Sequence, residues 1–358
     1  MSTVATPEDD LASSPAKSAT RPALHQLTGI RFFAALYVML FHYGAGFSQR
    51  HSMPVPFTRF LLRGNLGVAL FFTLSGFVLF YNYRGNLLKS RRFYSFMVAR
   101  LARLYPVYLL AILIAAFAAQ RLPHGKELLI VPMVQSWTPA ISPTGYAWIM
   151  QAWSISVEAF FYCSFPLLLL MFDRRLSRAA LWAFAGAALA IIIALQVPFA
   201  HAGLDDSWAA RHLLLPVLCL PEFILGMILC ALFQQKKASN PDGFSNDWIT
   251  FAGLAPGVWI IATTDNFYWL SLAAIWSISW GIYRLADGKG PLTGLLSNRL
   301  MILLGGASYS MYLLQGPMRV IVHRVFVSSH SEFENVLYPF LLIGLSCLVF
   351  FFFEEPQK

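Results

Sequence analysis

The sequence predicts an all-α polytopic membrane protein, built as a bundle of about ten transmembrane helices. Of its 358 residues, 58% are hydrophobic and only 12% are charged, about half the charged fraction of an average soluble domain. Aromatic side chains make up 15% of the chain, a surplus that a soluble protein could not bury without leaving large apolar surface patches. Hydrophobic runs long enough to cross a bilayer recur from residue 30 to the C-terminus.

Ten such runs are predicted to cross the membrane, and the third and seventh are short. Their approximate bounds are 30–47, 66–83, 104–119, 147–171, 180–198, 212–233, 249–264, 267–284, 301–321 and 335–353. Residues 1–28 are rich in Ser, Thr, Ala and Pro, and they are expected to form a disordered cytoplasmic tail. Residues 29–358 are therefore expected to form one transmembrane domain.

The formal charge of +9 fits a membrane protein better than a nucleic-acid-binding one. No Lys/Arg cluster joins the aromatic, glycine-rich or zinc-type motifs that nucleic-acid modules need, so no nucleic-acid partner is expected. With ten crossings and a cytoplasmic N-terminus, 18 of the 26 basic residues fall on the inside and eight on the outside. The positive-inside bias therefore predicts that both termini are cytoplasmic.

The cysteines are predicted to be packing residues. All four (Cys163, Cys219, Cys230 and Cys347) lie inside apolar runs and none lies in a long polar loop. This distribution favours reduced thiols over a disulfide framework, and no metal site is expected.

Two ionisable residues share one face of the first span. Arg31 and His42 are 11 residues apart, close to three helical turns, or about 16 Å along the axis. This spacing predicts a cation at the cytoplasmic rim and an imidazole near mid-membrane, where they would serve as a phosphate ligand and a general base. The alternative is a snorkelling arginine and a hydrogen-bonded structural histidine.

Two carboxylates lie inside other spans. Glu158, in the segment WSISVE, is predicted to reach a depth similar to that of His42. A carboxylate there would orient and charge the imidazole, or form an ion pair that only ties two helices together. Glu222 follows Pro221 in a span predicted to be kinked, and structural and catalytic roles both stay open for it.

The second and third spans contribute small and basic residues. Ser75 precedes Gly76 in a stretch suited to close helix contact, which favours packing over a nucleophilic role. Arg100 and Arg103 are one helical turn apart at the predicted cytoplasmic face. Such a pair would contact anionic lipid headgroups or hold the phosphates of a nucleotide-like donor.

Six segments together resemble the integral-membrane acyltransferase-3 family, in its order and at its spacings. They are LTGIRFFAALYVMLFHY, GNLGVALFFTLSGFVLFY, FMVARLARLYPVYLL, WSISVEAFFY, LPEFILGM and LLGGASYSMYLLQGP, and the similarity covers residues 27–356. The resemblance implies transfer of an acyl group, most often acetyl from acetyl-CoA, to sugar hydroxyls of bacterial surface or exported polysaccharides. It also implies that Arg31 and His42 are the essential first-helix pair. Arg100 and Arg103 match the family's basic motif, and Glu158 its Trp-Ser-x-Ser-x-Glu motif.

Two departures from the family pattern affect the mechanism. The family commonly has His where this chain has Gln315, and Gln cannot titrate, so its role is reduced to hydrogen bonding. Tyr309, in the same segment, is a further candidate for substrate binding or a structural role. No extra-membrane hydrolase-like domain, frequent in the family, is expected, so we expect transfer to be completed by the membrane domain or by a separate protein.

The sequence thus predicts a membrane O-acetyltransferase of a glycan or lipid-linked oligosaccharide in the bacterial cytoplasmic membrane, with polysaccharide assembly proteins as further partners. Arg31, Arg100 and Arg103 would hold the phosphates of acetyl-CoA. His42, supported by Glu158, would deprotonate the sugar hydroxyl or carry the acetyl group transiently. The rival prediction is an exporter or flippase of lipid-linked sugars, since ten spans with central charges also suit a transporter.

Overall fold

The computed structural model describes residues 21–85, 87, 92–137, 148–172, 176–202, 212–239, 246–325 and 332–354. Within these ranges the regular elements are helices, which confirms the predicted all-α polytopic fold. The α-helices are α1 (His25–Arg50), α2 (Val55–Leu61), α3 (Leu66–Tyr83), α4 (Arg92–Ala119), α5 (Ala152–Phe172), α6 (Arg178–Ala202), α7 (Leu215–Ser239), α8 (Asp247–Thr263), α9 (Phe267–Ala286), α10 (Pro291–Leu296), α11 (Arg299–Gly306), α12 (Ser308–Val325) and α13 (Glu332–Val349). A 3₁₀ helix spans Gly125–Ile130, and a π-helix, Phe350–Glu354, continues α13.

Seven of the described helices are long and apolar enough to cross a membrane. They lie in α1, α3, α4, α5, α6, α7 and the stretch formed by α13 with its π-helix. The other three predicted spans also fall on helices: α8, with 17 residues, α9, and a ninth span that is broken at Ala307 into α11 and α12.

Polar contacts show which helix ends lie together. At one end, which we call the basic end, Arg178 donates to Ser239, Arg84 donates to Gln234 and Lys236 pairs with Asp287. The basic end therefore gathers the start of α6 with the ends of α3, α7 and α9. Its basic residues are those that the sequence placed on the inside.

The opposite end of the bundle is also cross-linked. Arg59 pairs with Asp265 at 2.7 Å and donates to the carbonyl oxygen of Thr263 at 2.8 Å, which ties α2 to the turn between α8 and α9. Beyond α4, Arg121 donates two hydrogen bonds to Glu127 and lies over the ring of Trp148. The hydrogen bond from Arg121 lowers the pKa of Glu127 to about 2.

Glycines set the closest helix contacts. A side chain at Gly76 would overlap the carbonyl oxygen of Phe223, and one at Gly226 would overlap that of Thr73, so α3 and α7 touch backbone to backbone. Small residues serve this purpose in membrane helices because lipid supplies little hydrophobic drive for association. Gly29 and Gly305 similarly bring α1 against α10 and α11. These contacts fix the first turns of α1, which carry Arg31.

Candidate active site

A cavity of about 320 Å³ lies at the centre of the bundle, between α1, α3, α4, α5 and α12. It reaches from Ala23 and Asn82, near the basic end, to Ser154 and Tyr312 at its deep end. Five charged side chains line it: Arg31, Arg100, Arg103, Glu158 and Glu354. The fold therefore brings together both predicted donor-binding motifs and one predicted catalytic carboxylate.

Arg31 lies deeper than the sequence predicted. We expected it at the cytoplasmic rim, but α1 begins at His25, which puts Arg31 about 9 Å along the helix. Its guanidinium lies over the ring of Phe71, 5.8 Å from the ring centroid. Its Nε is buried and has no hydrogen-bond partner among the described residues. Arg31 thus presents an unused donor in a cavity that it shares with two carboxylates.

Arg100 and Arg103 approach the cavity from α4. Arg100 donates from Nη2 to the hydroxyl of Tyr83 at 2.9 Å, and its guanidinium lies over the rings of Tyr83 and Phe96. Its Nε, like that of Arg31, is buried without a hydrogen-bond partner in the described ranges. Two orphaned guanidinium donors facing one cavity suit an anionic or carbonyl ligand.

Glu158 accepts its hydrogen bonds from neighbouring hydroxyl groups. The hydroxyl of Tyr162 donates to Oε1 at 2.5 Å, and that of Ser75 donates to the same oxygen at 3.4 Å. Tyr162 and Ser75 also line the cavity. Glu158 is therefore held in place by its own helix and by α3.

The structure does not bring His42 to Glu158. His42 does not line the cavity, and none of the described hydrogen bonds of Glu158 goes to it. His42 lies next to Phe41 in the chain, and Phe41 packs against Gly64. Gly64 lies just before the start of α3, at the end of the bundle opposite the basic end. The expectation of similar depth does not fit these contacts, because Ser75, which bonds Glu158, lies eleven residues beyond Gly64 along the chain of α3. His42 is half-buried near this opposite end.

The candidates on α12 differ in placement. Tyr309 lines the cavity and donates its hydroxyl to the carbonyl oxygen of Leu104 at 2.9 Å. Gln315 lies farther along α12, where Nε2 donates to the carbonyl oxygen of Tyr312 at 2.9 Å. Only the NH₂ group can donate, so this bond fixes the amide orientation. The Oε1 atom of Gln315 is then left without a described partner, as is that of Gln151, which lies against Gly316.

Glu222 lies apart from these residues. It lines a separate cavity of about 60 Å³ with Thr73 and Ser271, between α3, α7 and α9. The catalytic alternative left open for Glu222 in the sequence is therefore not supported by proximity to the other candidates.

Sequence reasoning did not single out Glu354, which the structure places in the cavity. It is 6% exposed, ends the π-helix and accepts a hydrogen bond from the hydroxyl of Ser310. Short π-helices often occur at functional sites.

Three arginines and two glutamates thus line the cavity, so the cationic charge exceeds the anionic charge by one. No group of three or more His, Cys, Asp or Glu side chains suited to a metal ion occurs among the described residues.

Comparisons with known proteins give the family. Residues 24–355 match the family model described as an acyltransferase domain. Acyltransferase MdmB from Streptomyces mycarofaciens is 29% identical over 316 residues, which cover 81% of this chain and 78% of the relative. No solved structure matches the chain. The chain therefore belongs to the acyltransferase-3 family of integral membrane proteins, and it is a membrane acyltransferase.

Proposed function

We propose that this enzyme transfers an acetyl group from acetyl-CoA to a hydroxyl of a glycan or lipid-linked sugar. The observation that carries the proposal is the central cavity, where Arg31, Arg100 and Arg103 meet Glu158 within reach of the basic end. The rival prediction, a multi-span exporter or flippase, is less well supported than an acyltransferase, because the family match is to an acyltransferase domain. Residence in the bacterial cytoplasmic membrane, association with polysaccharide assembly proteins and two cytoplasmic termini belong to the same proposal.

The donor enters the cavity from the basic end. Arg100 and Arg103 bind the diphosphate of acetyl-CoA, since guanidinium groups hold phosphate oxygens in a bidentate manner. The pantetheine arm then extends past Tyr81 and Ser75 along the wall of α3. Farther in, Arg31 donates to the thioester carbonyl oxygen and holds the donor before the reaction.

His42 acts on the acceptor side, and two routes stay open. In one, the imidazole takes the proton of the sugar hydroxyl while that oxygen attacks the thioester, and the imidazolium then gives this proton to the departing CoA thiolate. In the other, the imidazole attacks the thioester first, CoA leaves as the thiol, and the acetyl-imidazole then acylates the hydroxyl. His42 lies about 16 Å farther along α1 than Arg31, so in either route the thioester must move past Arg31 to reach the imidazole.

Glu158 supports catalysis from the donor side in this proposal. Its carboxylate holds the hydroxyl groups of Tyr162 and Ser75 and offsets part of the charge of Arg31. Excluding water from this cavity protects the thioester from hydrolysis.

The test uses purified full-length protein in lipid nanodiscs, acetyl-CoA labelled in the acetyl group, and a glycolipid extract of the host. Mass spectrometry should show labelled acetyl esters on glycolipid products. Glu158→Gln should lower the rate of product formation, whereas Glu222→Gln, a matched change outside the cavity, should not. Absence of labelled product from the wild-type protein with any glycolipid fraction would refute the proposed donor and acceptor.

A further inference from the structure

Two buried glutamines lie next to the deep end of the central cavity. Ser154 and Tyr312 form that end, and the hydroxyl of Ser154 donates to that of Tyr312 at 2.7 Å. Gln151 lies just before α5, and the same Ser154 hydroxyl contacts its carbonyl oxygen at 3.1 Å. Gln315 lies on α12, about one turn beyond Tyr312. We call Gln151 and Gln315 the glutamine pair.

The two glutamines meet at one turn of α12. A Cβ atom built on Gly316 would lie 2.7 Å from Oε1 of Gln151, and the three atoms nearest to it all belong to Gln151. Gly316 therefore leaves the space that the amide of Gln151 occupies. Gln315 is the residue directly before Gly316, so both glutamines belong to the same small region.

Each glutamine has an amide oxygen that accepts no hydrogen bond in the described part of the chain. The amide of Gln315 is oriented by the bond from its Nε2 to the carbonyl oxygen of Tyr312 at 2.9 Å. Both side chains are almost fully buried. Buried polar atoms are nearly always hydrogen-bonded, because leaving one unpaired is unfavourable. Two such oxygens in one region suit a ligand that brings hydrogen-bond donors.

The glutamine pair lies at the level of His42 in the bundle. The hydroxyl of Tyr43 donates to the main-chain carbonyl oxygen of Gln315 at 3.1 Å, and the hydroxyl of Tyr338 donates to the same oxygen. Tyr43 follows His42 on α1, and the centroids of their rings are 6.0 Å apart. The contacts of Tyr43 therefore hold this turn of α12 beside the turn of α1 that carries the imidazole.

We infer that the glutamine pair binds the acceptor, with each amide oxygen accepting a hydrogen bond from one of its hydroxyl groups. The acceptor then carries at least two hydroxyl groups besides the one that reacts, as a sugar ring does and a long-chain alcohol does not. The inference rests on the proposed function, because that function places the acceptor on the side of His42. The glutamines act in binding and orientation, and neither exchanges a proton in the reaction.

The kinetic test titrates the host glycolipid extract against purified full-length enzyme in nanodiscs with labelled acetyl-CoA. Gln151→Met and Gln315→Met each remove one amide oxygen at similar length, since a thioether is only a weak acceptor. Each should raise the acceptor KM roughly two- to tenfold, as expected for one lost hydrogen bond, and leave the KM for acetyl-CoA unchanged. Gly316→Ala keeps both amides but displaces that of Gln151, so it should also raise the acceptor KM. Gln49→Met, exposed near the end of α1, is the matched control and should change neither KM.

A binding test changes the ligand instead of the protein. Permethylation converts every hydroxyl of the glycolipid extract to a methyl ether, which cannot donate a hydrogen bond. Native mass spectrometry then measures the glycolipid retained by the protein from each extract. Wild-type protein should retain glycolipid from the native extract and little from the permethylated one. The two methionine variants should retain less of the native glycolipid than the wild type.

Three outcomes would overturn the inference. An unchanged acceptor KM in both methionine variants would assign the two oxygens to a buried water molecule. Equal rises in the acceptor and acetyl-CoA KM values would assign the glutamines to the fold. Equal retention of native and permethylated glycolipid by the wild type would show that hydroxyl groups are not what the protein recognises.

The binding test also separates this inference from the proposed function. If the wild-type protein forms no acetyl ester, the proposed function fails, and glycolipid retention still tests the glutamine pair. Retention that falls in Gln151→Met and Gln315→Met would keep the hydroxyl-binding site under a different reaction. Equal retention by the wild type and both variants, or none by any of them, would remove the site as well.

Discussion

Arg31 shows how a cation can be kept inside a membrane protein. An arginine at this depth is costly in lipid, but here it shares a cavity with Glu158 and Glu354 and lies on the face of Phe71. Replacing either carboxylate leaves the remaining charges less balanced. Within the described part of the chain its buried Nε has no hydrogen-bond partner, which leaves a donor for a bound ligand.

Substitution of His42 tests the group that moves the proton. His42→Ala should reduce acetyl transfer at least about a hundredfold, the usual contribution of general acid–base catalysis. Membrane insertion should be unaffected, because a half-buried imidazole beside Phe41 and Tyr43 contributes little to the packing of the bundle. The measurements are the single-turnover rate and the thermal unfolding temperature. Product at the wild-type rate from this variant would remove His42 from the mechanism.

Substitution of Arg103 tests donor binding. Arg103→Ala should weaken CoA binding roughly ten- to a hundredfold, as expected for the loss of charged hydrogen bonds in a cavity. Arg103→Lys should recover only part of this loss, since an ammonium group cannot make a bidentate contact. Calorimetric titration with CoA measures the effect, with acceptor affinity as the comparison. An unchanged donor affinity would assign Arg103 to lipid contact.

The sequence located most site residues but misjudged their depth. Arg31 and Glu158 could be selected because ionisable groups in apolar runs are conspicuous, and Arg100 and Arg103 because they form a basic pair just before the third run. The depth of Arg31 was misjudged because α1 extends to His25 through polar residues that hydropathy leaves out. The position of His42 depends on the packing of Phe41 against Gly64, which no local sequence pattern shows. Glu354 was missed because it follows the last apolar run, and only the folded structure shows that it is 6% exposed and bonded to Ser310.

At the scale of elements, the pairing of α3 with α7 is the most sensitive contact. Gly226→Leu should disrupt it, because the new side chain would overlap the carbonyl oxygen of Thr73, and backbone atoms cannot move aside easily. The expected loss is about 1–3 kcal/mol of folding free energy, the usual range for overpacking. Thermal unfolding in detergent measures it. Gly186→Leu is the control, since nothing lies within 4 Å of that position, and an equal loss there would contradict the explanation.

Hydropathy predicted the helices well where a single unbroken helix is apolar along its length. It placed a single span at 301–321, whereas the structure breaks this segment at Ala307. The break lies beside Gly305, which packs against the carbonyl oxygen of Thr28. This contact joins residues far apart in sequence, so no local sequence pattern predicts it. Tyr309 and Tyr312, which follow the break at Ala307, line the cavity.

For the whole molecule, the proposed orientation can be tested by labelling. Ser239→Cys lies at the basic end and should be protected from an impermeant thiol reagent in whole cells, whereas His124→Cys should react. The reason is the excess of basic residues at the end that carries Ser239. Wild-type protein with its four native cysteines provides the background. Reaction at position 239 and protection at position 124 would invert the topology and close the cavity to cytosolic acetyl-CoA.

The amide oxygens of Gln151 and Gln315, which have no hydrogen-bond partner among the described residues, also bear on the thermal stability of the bundle. These residues are 3% and 0% exposed, and each buried acceptor without a donor costs about 1–3 kcal/mol. Gln151→Met removes one such acceptor at similar length and should raise the unfolding temperature, while activity stays equal or falls. An unfolding temperature below that of the wild type would show that Gln151 is already satisfied. If the temperature rises, selection for heat-resistant variants should repeatedly find this position, and the activity of those variants shows whether the added stability lowers the rate.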